Sequence, residues 1–337
     1  MARPSAADPE RVADVRDEVE ALLARHGREA GHYTVLGPDP WLVFFDDDRE
    51  GFVGFLEGRR VVAAWRSPVC APGAEGALVA RLVEYASSAR KYLLALEVNE
   101  STMRAGEALG LPVLWTGVES YVDLARWSLA GGRRQKLRWA RNHAAGLGVT
   151  WREAHPLARP EDRAALAWVE SAWKAARPER RTDSFLRTDY LEIASHRRYF
   201  VSELDGALTS FVVCTPINAA GWYLQDLVRL ADAARGSLEG ALALALDTLR
   251  DEGFETVSNG PLPFWQPEGG WQDPHDLGVV GRRVLAFFDH QYRFSGINRF
   301  RSKLEPDRTE PLYVVRSGGV ITPGVARSIQ RLLNRAP

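Results

Sequence analysis

Cys70 and Cys214 are the only two cysteines in 337 residues, so no disulfide framework staples this fold, and a reducing compartment suits it. Long apolar runs are missing as well. No stretch approaches the ~20 residues a membrane span needs. The opening MARPSAADPERVADVRDEVEALLARHG is charged where a secretory signal would be apolar. These absences lead to the expectation of a cytoplasmic protein with no integral membrane segment. An excess of charge of either sign is missing too. Lys and Arg number 43 against 44 Asp and Glu, a net charge of -1, so any nucleic-acid contact must come from a local basic patch and not from a global field. The seven histidines show no HxxxH or paired spacing, and the chain lacks a Gly-x-Ser-x-Gly elbow, a Walker loop and a dinucleotide fingerprint. Neither a metal nor a bound cofactor is expected.

What is present is a chain about two domains long, 45% hydrophobic and 26% charged, with ample material for a core. It also repeats itself. Glu75-Gly76-Ala77-Leu78 recurs as Glu239-Gly240-Ala241-Leu242, and FVGFLEG (Phe52 to Gly58) is echoed by FVSELDG (Phe200 to Gly206). Each of the latter is an alternating apolar run ending in a Gly-containing turn, with a second apolar run behind it, which is a hairpin signature. Each hairpin leads to a cysteine and a Pro-containing loop. The EGAL segment then opens an apolar-rich helical stretch, and a short strand follows (YLLALEV or FETVSN). The same order of hairpin, loop, helix and strand twice over reads as a duplicated unit.

That order resembles the acyltransferase fold of the Gcn5-related N-acetyltransferases. The fold class expected is therefore α+β, two tandem GNAT-like domains, each with a mixed, mostly antiparallel sheet flanked by helices. The boundaries expected are 1–130 for the first domain, 131–150 for a basic linking helix, and 151–337 for the second, catalytic domain. The Arg/Gln-x-x-Gly-x-Gly/Ala loop that cradles coenzyme A phosphates in that fold is absent before both EGAL helices, which argues against acetyl-CoA as donor.

A more particular resemblance rests on an ordered series of motifs: SYVDLARWSLAGGRRQKLRWARNHAAGLGVTW, TDSF, LQDLVRLADAARGSLEGAL, SNGPLPF and YRFSGINRFRSKLEPDRTEPLYVV. Together, over roughly residues 30 to 316, they resemble the cytosolic domain of the phosphatidylglycerol lysyltransferases. That family moves an aminoacyl group from charged tRNA, so the resemblance implies aminoacyl-tRNA as co-substrate. Leu304 and Arg308 depart from it, standing where the family's terminal motif usually has aromatics.

Such an ester is already activated. The enzyme has to position it, remove a proton and stabilise an oxyanion, and no covalent nucleophile is needed. The donor's ammonium calls for a carboxylate, and Asp226 and Glu239 flank the loop where this fold binds its acyl donor. As plain structure, Asp226 would be a strand-end cap, and Glu239 a first-turn acid favoured by the helix dipole. Arg229, three residues past Asp226, could pair with that carboxylate or hold a phosphate. Asn259, in the SNGPLPF strand, is carried over as a substrate-binding residue. In INRFRSKLEP an extended backbone would put Arg299, Arg301 and Lys303 on one face, with Lys303 the catalytic cation, Arg299 behind it and Arg301 toward tRNA. If GGRRQKLRWARNHAAG is helical from Arg133, Arg134, Arg138 and Arg141 form one basic stripe for the tRNA backbone, or a solvated face. His290 reads as structural more readily than as a general base, and Gly269 to Gly278 as a flexible loop over the site.

The leading expectation is an aminoacyl-tRNA-dependent transferase with a small-molecule hydroxyl or amine as acceptor, since no membrane-binding segment is evident. The alternatives are phosphatidylglycerol as acceptor, an acetyl-CoA-dependent N-acetyltransferase, and a non-catalytic tRNA-binding tandem fold.

Overall fold

The computed structural model describes residues 8–38, 40–176, 189–218, 220–266, 270–271, 294–319 and 321–333. TDSF, His290, Tyr292, Arg293 and most of the Gly269 to Gly278 loop lie outside them. In chain order the first half runs β1 (Glu10–Arg11), α1 (Arg16–His26), β2 (Leu42–Phe45), β3 (Phe52–Glu57), β4 (Val61–Trp65), α2 (Glu75–Ser88), β5 (Tyr92–Val98), α3 (Glu100–Ala108) and β6 (Val113–Asp123). The second half runs α4 (Gln135–Gly146), β7 (Thr150–Ala154), α5 (Pro160–Ala175), β8 (Arg198–Leu204), β9 (Ala207–Asn218), β10 (Gly221–Arg229), α6 (Ser237–Asp251), β11 (Thr256–Pro263), a small ribbon of β12 (Trp265–Gln266) and β13 (Gly270–Trp271), α7 (Phe294–Arg301), β14 (Arg308–Arg316) and α8 (Pro323–Leu333).

Twelve of these strands form one sheet in the order β1-β2-β3-β4-β5-β14-β6-β11-β10-β9-β8-β7. Read from either end, this is the same sequence of parts. Each half is an antiparallel meander closed by one parallel pair, β4 with β5 and β10 with β11, and a helix opened by EGAL crosses over between the two parallel strands. A parallel pair requires such a crossover, which is why helix and strand follow EGAL in both halves. The protein is thus α+β, with two tandem GNAT-like units. At the centre the units exchange strands: β14 lies between β5 and β6, and β6 between β14 and β11.

The duplication is real, but the hairpins pair differently from the sequence reading. By position in the sheet, β3 corresponds to β9 and β4 to β10, so FVSELDG on β8 is the counterpart of β2 and not of FVGFLEG on β3. The hairpin that leads directly into the second EGAL helix is β9–β10, the counterpart of β3–β4, and β8 lies one strand before it. Alternation looks alike on every half-buried strand, so a short match slides by a whole strand without penalty.

Helix α6 is buried on nearly every face. Leu238, Leu242, Leu246 and Leu249 pack with Phe200, Val212 and Leu224 from the sheet. Helix α2 buries a narrower stripe, with Leu78, Leu82 and Ala86 against Phe55, Val62 and Leu93. The two EGAL glycines differ accordingly. A Cβ on Gly240 would lie 2.1 Å from the ring of Trp151, whose Nε1 donates to Ser237 O at 2.8 Å, whereas nothing lies within 4 Å of one on Gly76.

Opposite effects are therefore expected from one substitution in the two repeats. Gly240→Ala should destabilise by about 1–3 kcal/mol through overpacking. Gly76→Ala should be neutral or stabilising by up to ~1 kcal/mol through helix propensity. Urea melts of the two variants compare them directly, and equal shifts would contradict this packing.

Candidate active site

The parallel pair β10–β11 holds for only three partners, Gly221 with Thr256 to Tyr223 with Ser258. A bulge between Leu224 and Asp226 then turns β10 toward β9, and another between Ser258 and Gly260 turns β11 toward β6. Bulges end a ladder and re-aim side chains, and here they open a gap between adjacent strands. Asp226 lies in that gap, partly buried. Burial pushes its carboxyl up to about 6, while the guanidinium groups of Arg197 and Arg301 and the Tyr190 hydroxyl pull the other way.

Arg301 enters from α7. Its Nη1 donates to Pro261 O at 2.6 Å, and its guanidinium lies against Gly260, where a Cβ would come within 2.4 Å of it. Gly260 has φ +89, so both its backbone and the close approach call for glycine. Asn259 is buried, and its Nδ2 donates to Arg301 O at 2.9 Å and Ser120 Oγ at 3.4 Å. Expected to bind substrate, it instead anchors the turn that carries Arg301 and Lys303.

A second group lies where that turn meets α6. Lys303 Nζ is 3.1 Å from Glu239 Oε1 and 4.7 Å over the Phe300 ring. The pair borders a cavity of about 310 Å³ shared with Lys136, Trp139 and Arg235. Trp139 is half exposed, and the Arg235 guanidinium lies 4.7 Å over its ring.

Two expected arrangements are not what the chain adopts. Arg299, Arg301 and Lys303 do not share a face by strand alternation, because Phe294–Arg301 is helical and Ser302–Leu304 a 3-10 turn. Arg301 points inward, Lys303 toward Glu239, and Arg299 is exposed. The basic stripe is broken too. Arg134 precedes the helix with φ 60 and is buried, its Nε donating to Leu304 O at 2.8 Å, its Nη2 3.4 Å from Asp307, and its guanidinium 4.7 Å over Trp127. It ties α4 to the 3-10 turn and offers nothing to a polyanion. Arg138 donates to the Leu129 and Gly131 carbonyls, Arg141 lies 3.8 Å from Asp247, and Arg229 is exposed at the end of β10.

The first unit's parallel pair ends in a different way. Counted from the first paired residue, Val61 in β4 and Gly221 in β10, Arg66 falls where Asp226 does. Arg66 is fully buried, 2.9 Å from Glu119 and 3.1 Å from Glu97. Glu119 also accepts from Ser258 Oγ on β11. Around them, Glu29 accepts from Ser67 N at 3.2 Å and Asn99 Nδ2 at 2.6 Å, and His32 meets Ser67 O at 3.2 Å. Burial raises the Glu29 and Glu97 carboxyls, with Arg66 opposing, and depresses His32 to about 3, keeping it neutral. Sequence reading missed this cluster. Its one signal was an arginine closing the apolar run VVAAWR.

Asp226 has a measurable linkage. Its folded pKa, about 6, exceeds the 3.8 of an ordinary aspartate, so its contribution to stability is fully present below pH ~4 and is lost as pH rises through about 6. Asp226→Asn should therefore gain on wild type between pH 4 and 6 and hold a constant advantage above pH 7. Melts across that range test it, and a difference that does not change with pH would contradict the raised carboxyl.

Comparison with known proteins agrees with the architecture. The family described as phosphatidylglycerol lysyltransferase, C-terminal, matches residues 20–316. Phosphatidylglycerol lysyltransferases of Bacillus subtilis and Staphylococcus epidermidis are 22% and 19% identical over 89% and 88% of this chain. The chain spans about a third of the length of these curated relatives, 34% and 35%. Among solved structures, the C-terminal domain of a putative lysylphosphatidylglycerol synthetase from Agrobacterium fabrum superposes with TM-score 0.80 at 22% identity, covering 96% of this chain and 98% of that one. L-PGS from Bacillus licheniformis gives 0.74 at 16% identity, covering 95% and 97%. With a match spanning both units and the strands exchanged between them, the chain belongs to the phosphatidylglycerol lysyltransferase C-terminal family.

Proposed function

We propose that this chain is an aminoacyltransferase that takes an aminoacyl group from charged tRNA and passes it to a hydroxyl of phosphatidylglycerol. The observation that carries the reading is the Asp226 carboxylate in the gap between β10 and β11, flanked by Arg301 and Arg197. An aminoacyl ester brings an ammonium, and a carboxylate in a partly dry gap suits that charge. The acceptor hydroxyl attacks the ester carbonyl and loses its proton. The new C–O bond forms as the bond to the tRNA ribose breaks, and the ribose oxygen takes up a proton. One ester replaces another, so positioning and electrostatics supply most of the catalysis.

In this reading Glu239 and Lys303 mark where the tRNA end enters. Lys136, Arg235 and Lys303 supply cations for its phosphates, and the half-exposed Trp139 a face for a base. Arg138 and Arg141 remain as outer contacts; Arg134 does not take part. A small-molecule acceptor is the expectation from the sequence, which shows no evident membrane-binding segment. The lipid is preferred because the relatives are lipid aminoacyltransferases by name. Among the described residues no helix is long and apolar enough to cross a membrane.

The test is transfer of label from lysyl-tRNA and other aminoacyl-tRNAs to phosphatidylglycerol vesicles, with acetyl-CoA in parallel. Aminoacyl-lipid formation is expected; consumption of acetyl-CoA alone, or of neither donor, would overturn the reading. Lys303→Ala should lower kcat/KM for the charged tRNA by about 10- to 10²-fold, the loss expected for one charge-assisted contact. Retention within a few-fold would remove Lys303 from the site. The KM for donor should rise as pH falls below about 6, where Asp226 loses its charge.

A further inference from the structure

Four arginines close on one cavity at the opposite end of β4 from Arg66. The β3–β4 turn supplies Arg59 and Arg60, and α8 supplies Arg327 and Arg331, around a space of about 540 Å³ that Gly324 and Ser328 also line. All four arginines are exposed, whereas Ser328 is buried. The wall has specific joints. Ser328 Oγ accepts from Arg60 N–H at 3.0 Å, and the Arg60 side chain runs so close to Gly324 that a Cβ there would lie 2.7 Å from its Nη1. Leu332 and Ile329 hold α8 on the core that contains Val61, which fixes the two helix arginines opposite the turn.

No carboxylate lines this cavity, and among the described residues none of the four arginines forms an ion pair. The nearest acid in sequence, Glu57, is engaged by Lys91 Nζ at 2.6 Å and Tyr85 Oη at 2.7 Å. Four like charges around one hollow repel one another, and a bound anion relieves that repulsion. Guanidinium is the side chain best matched to phosphate, because its planar fork donates two parallel hydrogen bonds to a pair of oxygens. The space is also well beyond what one small ion fills, and lies in the range of small-ligand sites, ~300–1,000 Å³.

We infer that this cavity binds a phosphate-bearing anion, either the headgroup of an acidic phospholipid or a free phosphorylated small molecule. The site is independent of the Asp226 gap, and α8 lies beyond residue 316, where the family match ends.

Calorimetric titration of the full chain with inorganic pyrophosphate tests the chemistry, and sedimentation with phosphatidylglycerol/phosphatidylcholine vesicles, against phosphatidylcholine alone, tests the source. The double variant Arg327→Gln/Arg331→Gln should bind pyrophosphate at least about tenfold more weakly, the loss expected for two charge-assisted contacts. Arg59→Gln, on the separate turn, should weaken it in the same direction and guards against a local effect on α8. Vesicle binding that is lost in the variants and competed by pyrophosphate identifies the headgroup; pyrophosphate binding without vesicle binding identifies a free phosphorylated ligand. No pyrophosphate binding by wild type, or equal binding by wild type and variants, overturns the proposal. So does a loss confined to tRNA binding, which would make the cavity an RNA contact.

Discussion

The buried Arg66 guanidinium holds the centre of this molecule together. Its partners come from β5 and β6, and through Glu119 the same network reaches Ser258 on β11, so one cation links strands of both units. A charge placed this deep is tolerable only with full pairing, and removing one partner would leave the other exposed to a low dielectric. Arg66 and Glu97 both take left-handed backbone, with φ 67 and 53, at the ends of their strands. That geometry aims both side chains into the interior and is a local cost that the ion cluster offsets.

The same cluster explains why the duplicated gaps are not duplicated sites. In the first unit the opening past the parallel pair is filled by a cation with its own carboxylates. In the second, Asp226 stands at the corresponding position, within the field of Arg197 and Arg301. A gap sealed by its own salt bridges rigidifies; one that keeps an incompletely neutralised carboxylate can take a cationic ligand. The two halves thus differ in the sign of the charge that occupies that one position.

Local features could be read from the sequence, and features set by distant partners could not. Both EGAL helices and the β3–β4 and β8–β9 hairpins follow from periodicity and turn residues, which act over a few positions. The family resemblance picked out Asp226, Glu239 and Lys303, and the chain brings the last two together. The strand match slipped because alternation carries no strand number. Arg134 was misplaced because a stripe drawn on an ideal helix ignores where the helix begins: the backbone at Arg134 is left-handed, and its side chain turns to Asp307, far away in sequence. The face expected of Arg299, Arg301 and Lys303 failed for a similar reason. Alternating cations suit a strand, but Arg299 and Arg301 sit in the last turn of a helix that packs on β11, and Lys303 in the 3-10 turn after it.

The strand exchange also imposes an order in time. A ribosome delivers β5 and β6 long before Arg308–Arg316, yet β14 is the strand that must lie between them. Until it arrives, β5 has one unsatisfied edge at the centre, and β6 has only β11 of its two final neighbours. Half-built sheets of this kind invite wrong partners, and contacts so distant in sequence form slowly. The two repeated units are therefore one folding problem: the shared sheet cannot close before the last strand is made.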